Sequence, residues 1–221
     1  MGPLRMLVPR IPVLGIAVFV LSALTLHPSA SAQELPREWA TLGGYAGVAS
    51  ARSLWRSPYE SRRTGAPTLG VFADARTSID ALSVLASAGL VRRGGEVYNE
   101  RQDPDGLGAT ELSADYLTMS VLAKGRLQVG PLTGWIGVGP TLDILLRSNR
   151  SGVLNQILER DHVTGGGATA GAGVDVEVTP TYRIGLELRA TERLTTAFDG
   201  VAGDVRFRTF EALVRIGRIV R

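Results

Sequence analysis

The chain has 221 residues, with 24 Lys and Arg against 21 Asp and Glu, two His and no Cys. The lack of cysteine excludes a disulfide framework and a thiolate metal centre. The near balance of charge excludes nucleic-acid binding through bulk positive charge.

Arg5 and Arg10 precede an apolar run from Ile11 to Leu26, followed by Pro28-Ser29-Ala30-Ser31-Ala32. A basic start, a short apolar stretch and an Ala-x-Ala site make a secretory leader. The reading is a signal peptide over residues 1–32, cut between Ala32 and Gln33, with His27 leaving in it. The run is short for a spanning helix, which needs about 20 apolar residues, and no second run of that length follows. A membrane role then requires a closed barrel, the other structure that satisfies every backbone group in lipid. Residues 33–40 read as a short periplasmic lead-in and 41–221 as one barrel domain.

Eight segments alternate apolar and polar with period two, the pattern of strands with two unlike faces. Residues 42–52 are a Gly- and Ala-rich first strand. In 69–77, Leu69, Val71, Ala73 and Ala75 oppose Asp74 and Arg76. In 82–92, Leu82, Val84, Ala86, Ala88 and Leu90 oppose Ser83 and Ser87. In 112–123, Leu117, Met119, Val121 and Ala123 oppose Tyr116, Thr118 and Ser120. In 134–146, Ile136, Val138, Leu142 and Ile144 oppose Trp135, Thr141 and Asp143. Pro140 falls on the apolar side of that strand, although proline belongs at an edge or a bulge. Residues 165–178 and 182–191 form a hairpin: Val174, Val176, Ile184, Leu186 and Leu188 share one face, and Asp175, Glu177, Arg183, Glu187 and Arg189 the other. In 208–218, Phe210, Ala212, Val214 and Ile216 oppose Glu211 and Arg215.

The connections alternate in length. Ser53–Pro67, Gly94–Thr110, Arg147–Thr164 and Glu192–Val205 read as long polar loops, the third with a helical turn over Val153–Glu159. Ser78–Ala81, Lys124–Thr133 and Thr179–Thr181 read as short connections. Strands of about 9–11 residues, joined by short inner turns and long outer loops, are the signature of an outer-membrane barrel. The expected fold is all-β, an eight-stranded antiparallel up-and-down transmembrane barrel. In it Asp74, Arg76, Asp143, Asp175, Glu177, Arg183, Glu187, Arg189, Glu211 and Arg215 project inward as a paired network, because a small lumen is filled by side chains and an unpartnered buried charge is costly. Alternation alone also allows the inverse, a secreted soluble lipocalin-like barrel with these charges outside and a small apolar ligand within.

Other motifs carry less. The run Gly165-Gly166-Gly167-Ala168-Thr169-Ala170-Gly171-Ala172-Gly173 has no following Lys-Ser or Lys-Thr and no strand-turn-helix context, so it is not a phosphate loop. His162, beside Asp161 and Glu159, reads as a solvated loop residue. It would serve a lipid-modifying outer-membrane enzyme only with a serine and an acid in reach, and no nucleophile elbow is present. No catalytic residue, metal ligand or cofactor is assigned. Arg52, Arg56, Arg62 and Arg63 with Trp55 and Tyr59 mark the first long loop as a surface for lipopolysaccharide phosphates or a partner protein.

Several stretches together resemble the small outer-membrane β-barrel domain of the PorT-like kind, related in shape to the OmpA-like porin-family barrel. They are Ala88-Gly89-Leu90-Val91-Arg92-Arg93-Gly94, Asp115-Tyr116-Leu117 running on to Ala123-Lys124, Gly137-Val138-Gly139-Pro140, Gly171-Ala172-Gly173-Val174, and Tyr182-Arg183-Ile184-Gly185-Leu186. The family commonly carries a Gly-Pro where Gly139-Pro140 stands. The resemblance spans roughly Gly43 to Arg221. It implies a Gram-negative cell outer membrane, contact with outer-membrane lipid and the barrel assembly machinery, a surface ligand or protein met through the loops, or a narrow channel. The chain departs from the pattern in ending Arg218-Ile219-Val220-Arg221, without a terminal aromatic. Trp39, Trp135, Tyr182 and Phe210 are the expected aromatic girdle.

Overall fold

The computed structural model describes residues 39–54, 59–99, 110–150, 158–200 and 204–221. The leader and its Ala32–Gln33 cut lie outside these residues. The strands are β1 (Ala40–Leu54), β2 (Tyr59–Arg76), β3 (Leu82–Asn99), β4 (Thr110–Val129), β5 (Leu132–Arg150), β6 (Leu158–Asp161), β7 (Thr164–Glu177), β8 (Tyr182–Arg193), β9 (Phe198–Gly200) and β10 (Arg206–Val220). Eight of them close into a barrel in the order β1-β10-β8-β7-β5-β4-β3-β2, while β6 and β9 pair as a separate two-stranded sheet. Every neighbouring pair is antiparallel, and β1 meets β10 from Ala40↔Val220 to Leu54↔Arg206.

The faces of the barrel follow the alternation. Leu186, Val214 and Ile136 point out, at 64%, 54% and 70% exposure, while Arg215 and Glu187, one residue away from two of them, are 3% and 2% exposed. A soluble lipocalin-like barrel requires the reverse placement, so that alternative is set aside. The outward apolar side chains form the band that an outer-membrane barrel turns to lipid.

The strands are longer than their apolar pattern. β4 has 20 residues, β5 has 19, and β2 and β3 have 18 each. At about 3.3 Å per residue a 20-residue strand runs roughly 60 Å, far more than a band ~25 Å tall requires even when tilted. Parts of the expected outer loops are therefore strand: Tyr59–Pro67 belongs to β2, Gly94–Asn99 to β3 and Arg147–Arg150 to β5. Above the membrane the ladder still satisfies the backbone, but nothing demands an apolar face, so the hydrophobic period fades before the pairing does. Leu158 and Glu159 lie in β6 rather than a helical turn, and 153–157 fall outside the described residues. The expected connection Lys124–Thr133 also shrinks to Gly130-Pro131, where Gly130 adopts φ 60°, a left-handed conformation suited to glycine.

Pro140 sits mid-sheet, not at an edge. It pairs with Ala168 on β7, while on its other side the ladder passes from Ser120↔Thr141 to Ala123↔Val138 without the two pairs between. Its ring points outward. The missing N–H thus interrupts one ladder locally, and the remaining bonds carry the strand through. Bulges occur between Arg63 and Thr68 on β2 and at Leu146 on β5, opposite Asp115 and Tyr116 of β4.

Candidate functional site

The lumen is filled by side chains in three tiers. Nearest the termini, Lys124 Nζ lies 2.6 Å from Asp74 Oδ2 and 4.0 Å from the centre of the Trp135 ring. Beside it, Arg215 Nη2 donates to both oxygens of Asp175 at 2.6 and 2.9 Å, and its guanidinium covers Phe72 and Trp135 at 4.9 and 5.0 Å. Arg183 reaches Glu177 at 2.5 Å and donates to Thr41 Oγ1 at 3.3 Å. A small pocket opens here between Thr41, Phe72, Asp74, Asp175, Arg183 and Arg215.

In the middle tier Arg189 donates twice to Glu187 Oε1, at 3.0 and 2.8 Å, while Arg215 Nη1 lies 3.2 Å from Glu187 Oε2. Arg189 also donates to Ser87 Oγ at 3.3 Å and covers the Tyr45 ring at 5.4 Å. Thr68 Oγ1 donates to Glu211 at 3.4 Å. Tyr45, Phe72, Leu85, Leu122, Trp135 and Leu213 pack as an apolar cluster among these charges. Inward glycines make the room: a Cβ on Gly173 would come within 2.8 Å of the Trp135 indole, and one on Gly89 would overlap the Tyr45 hydroxyl.

In the outer tier Arg93 forms a short ion pair with Asp143, whose other oxygen accepts from Thr118 Oγ1 at 2.8 Å. Arg93 and Arg193 flank the Tyr116 ring at 5.3 and 5.2 Å. Arg193 has no carboxylate partner among the described residues; its Nη2 donates to the carbonyls of Thr196, Thr164 and His162 at 3.3, 3.4 and 3.5 Å. Above it Phe198 and Phe207 meet edge to face at 6.0 Å, within a cluster that includes Leu112, Ala114, Tyr116, Ala197 and Val205. This buried apolar cluster, with the β6–β9 sheet, occupies the outer end.

Of the ten charges expected inside, Asp74, Asp143, Asp175, Arg183, Glu187, Arg189, Glu211 and Arg215 are buried, and Arg76 and Glu177 are half-buried near the inner mouth. The reading missed Arg93, Lys124 and Arg193, which are 1%, 1% and 0% exposed. Each lies one or two residues past the end assigned to its strand. Extending the period-two register, from Ser87 to Arg93, from Ser120 to Lys124 and from Arg189 to Arg193, points all three inward. Trp135 is not a girdle residue: it is 4% exposed in the lumen, because it follows the parity of Thr133 and Thr141. Trp39, Tyr182 and Phe210 are exposed.

His162 lies in the link between β6 and β7 with its side chain 38% exposed. Its Nε2 lies 3.2 Å from Asp199 Oδ2, and its N–H donates to the Ala197 carbonyl at 2.9 Å. Ser148 donates to Asp161 at 2.6 Å; among the described residues no serine bonds His162. Trp55 and Arg56 of the first outer loop lie outside the described residues, and Arg62 and Arg63 stand exposed on β2.

No curated protein matches the chain. Among solved structures it is similar to Neisserial surface protein A, at 16% identity over 80% of this chain and 97% of that chain, with TM-score 0.47. It is similar to Ail, the attachment invasion locus protein of Yersinia pestis, at 15% identity over 82% and 99% of the two chains, TM-score 0.41. The E. coli outer membrane protein W matches at 14% identity over 81% and 99%, TM-score 0.39. A family model described as outer membrane protein beta-barrel domain matches residues 16–215. With most of its length matched, the chain belongs to the outer membrane β-barrel domain family.

Proposed function

We propose that the protein is a non-catalytic outer-membrane barrel, exported with cleavage after Ala32 and placed in the membrane by the barrel assembly machinery. Its role is structural and interactive, exercised at the outer end. The observation that supports this reading is the filled lumen. Five ion-paired cations, Arg93, Lys124, Arg183, Arg189 and Arg215, stand among packed aromatics, and such an interior serves as a core rather than a path. The outer ends of β2 to β5, with the β6–β9 sheet, then supply a rigid platform beyond the lipid on which a ligand or partner protein can dock.

Planar-bilayer recording of the refolded mature protein tests the reading. The expected trace is flat. Sustained unitary currents from the unmodified barrel would transfer the function to a narrow channel. Carbonate washing of membranes tests the location, with retention in the pellet expected and release into the supernatant contrary to it.

A further inference from the structure

The outer face of the closing seam carries arginines that the lumen network does not use. Arg52 on β1 is paired directly with Arg208 on β10, and both are exposed. Like charges directly opposite in an antiparallel pair bring their Cβ atoms to about 5 Å and destabilise the sheet. Arg206 stands two residues before Arg208 on β10, opposite Leu54. On the other side of β1, Ala51 pairs with Thr64, which brings exposed Arg63 of β2 beside Arg52. Arg63 is fixed over the outward Phe210 ring at 5.2 Å. Glu192 takes Arg208 at 2.9 Å. Among the described residues no carboxylate lies within ion-pair distance of Arg52, Arg63 or Arg206.

Directly below stands apolar surface. Phe210 is two residues from Arg208, Val48 four residues from Arg52, and Leu69 and Val214 flank Ala46 across β2 and β10. All four are exposed apolar side chains at 43–62%. The guanidiniums therefore sit where the apolar band ends, on the side away from the termini. A guanidinium fork is matched to phosphate oxygens. A ligand that answers both surfaces carries phosphate above and acyl chains beneath.

We propose that Arg52, Arg63, Arg206 and Arg208 form a binding site for the phosphate groups of an outer-leaflet phosphoglycolipid whose acyl chains lie along Val48, Leu69, Phe210 and Val214. The proposal rests on the membrane reading above and names the lipid partner of that barrel. The acyl-facing residues separate it from a site for free phosphate, which has no use for them.

The test uses the mature protein in a nonionic detergent, titrated calorimetrically with bis-phosphorylated lipid A, its monophosphorylated form and inorganic phosphate. Saturable binding of the bis-phosphorylated lipid is expected, weaker by several-fold when salt rises from about 50 to about 500 mM. The triple variant R52Q/R63Q/R206Q is expected to bind at least about ten-fold more weakly. The control R92Q/R147Q, which neutralises outward arginines on β3 and β5, is expected to change binding less than about two-fold. Folding is checked by heat-modifiable gel mobility. If the triple Gln variant does not fold, R52K/R63K/R206K keeps the charge without the fork and is expected to weaken binding about three-fold or more. Unchanged affinity in the arginine variants, an equal loss in the control, or equal binding of inorganic phosphate overturns the proposal. Carbonate release of the protein instead removes the membrane reading; retention without lipid A binding removes this proposal alone.

Discussion

Replacing Lys124 by Met removes the cation that neutralises Asp74. The two side chains are 0% and 4% exposed at 2.6 Å, and the ammonium also faces Trp135. Asp74 is only 4% exposed, so the single variant, which leaves a buried carboxylate without its cation, is expected to lose about 3–5 kcal/mol. Asp74→Leu alone should cost a similar amount, by stranding Lys124. The double variant K124M/D74L leaves no charge and keeps the volume, and buried pairs replaced this way are neutral or stabilised by about 1–4 kcal/mol. The comparison pair is Arg92–Asp115, with nearly the same distance, 2.7 Å, but 58% and 33% exposure; R92A is expected to cost under about 1 kcal/mol. Equilibrium urea unfolding in phospholipid vesicles, followed by tryptophan fluorescence, reads all four variants. A K124M barrel within about 1 kcal/mol of the parent, or a double variant no better than the singles, would show that water screens the lumen and would refute the reasoning.

Gly173→Ala drives a methyl to 2.5 Å from the Leu186 carbonyl oxygen and 2.8 Å from the Trp135 indole and is expected to cost about 1–3 kcal/mol, recovered only in part in G173A/W135L, which leaves the backbone contact; the urea midpoint reads both. Leu186→Arg places a charge on the outward apolar face and is expected to cost about 2–4 kcal/mol, measured as the folded fraction on an unheated gel. Phe198→Ala removes a fully buried ring from the outer cluster at about 3–5 kcal/mol of local stability. It should speed proteolysis between Leu194 and Val205 while the folded gel band persists.

The barrel was legible because its two environments differ most in the membrane. Wherever lipid meets one face, as at Val174, Leu186 and Val214, apolar residues recur at every second position and the strand and its parity read directly. The pattern faded at both ends for physical reasons. Above the lipid, outward positions such as Arg52, Arg92 and Arg208 carry charge, so the strands seem to end where only the apolar band ends. Arg93 and Arg193 were lost to that truncation. Lumen aromatics were hidden differently: Tyr45, Phe72 and Trp135 look like apolar or girdle residues until the facing glycines, Gly89 and Gly173 among them, are seen to make space for their rings. The β6–β9 sheet had no periodic signature, since two strands of four and three residues are too short to show one. Periodicity made Pro140 readable only as a fault, eased by the family resemblance at Gly139-Pro140, because its tolerance depends on which ladder its missing N–H faces.

Ten of the lumen charges divide into two groups. Asp74, Arg93, Lys124 and Asp143 pair among themselves across β2 to β5. Asp175, Glu177, Arg183, Glu187, Arg189 and Arg215 pair among themselves across β7, β8 and β10. What crosses between the groups, or from β1, is hydroxyl and cation–π contact: Ser87 to Arg189, Thr68 to Glu211 and Thr41 to Arg183, with Arg215 over Phe72 and Trp135 and Arg189 over Tyr45. Each half of the sheet can thus neutralise its share of these ten charges before the barrel closes, and none of the ion pairs named here has to form at the instant of closure. An unpaired charge in lipid is the costliest intermediate a barrel can pass through, and this division removes it. The expected consequence is an asymmetry between the two kinds of contact. Ser87→Ala, Thr68→Ala and Thr41→Ala should each lower stability by only about 0.5–1.5 kcal/mol and leave the folding rate into vesicles nearly unchanged. Asp143→Ala, which strands Arg93 within its half, should cost about 3–5 kcal/mol and slow folding. Kinetics followed by the unheated gel shift decide it: if the hydroxyl variants slow folding as much as Asp143→Ala does, closure depends on the seam and the two-group account fails.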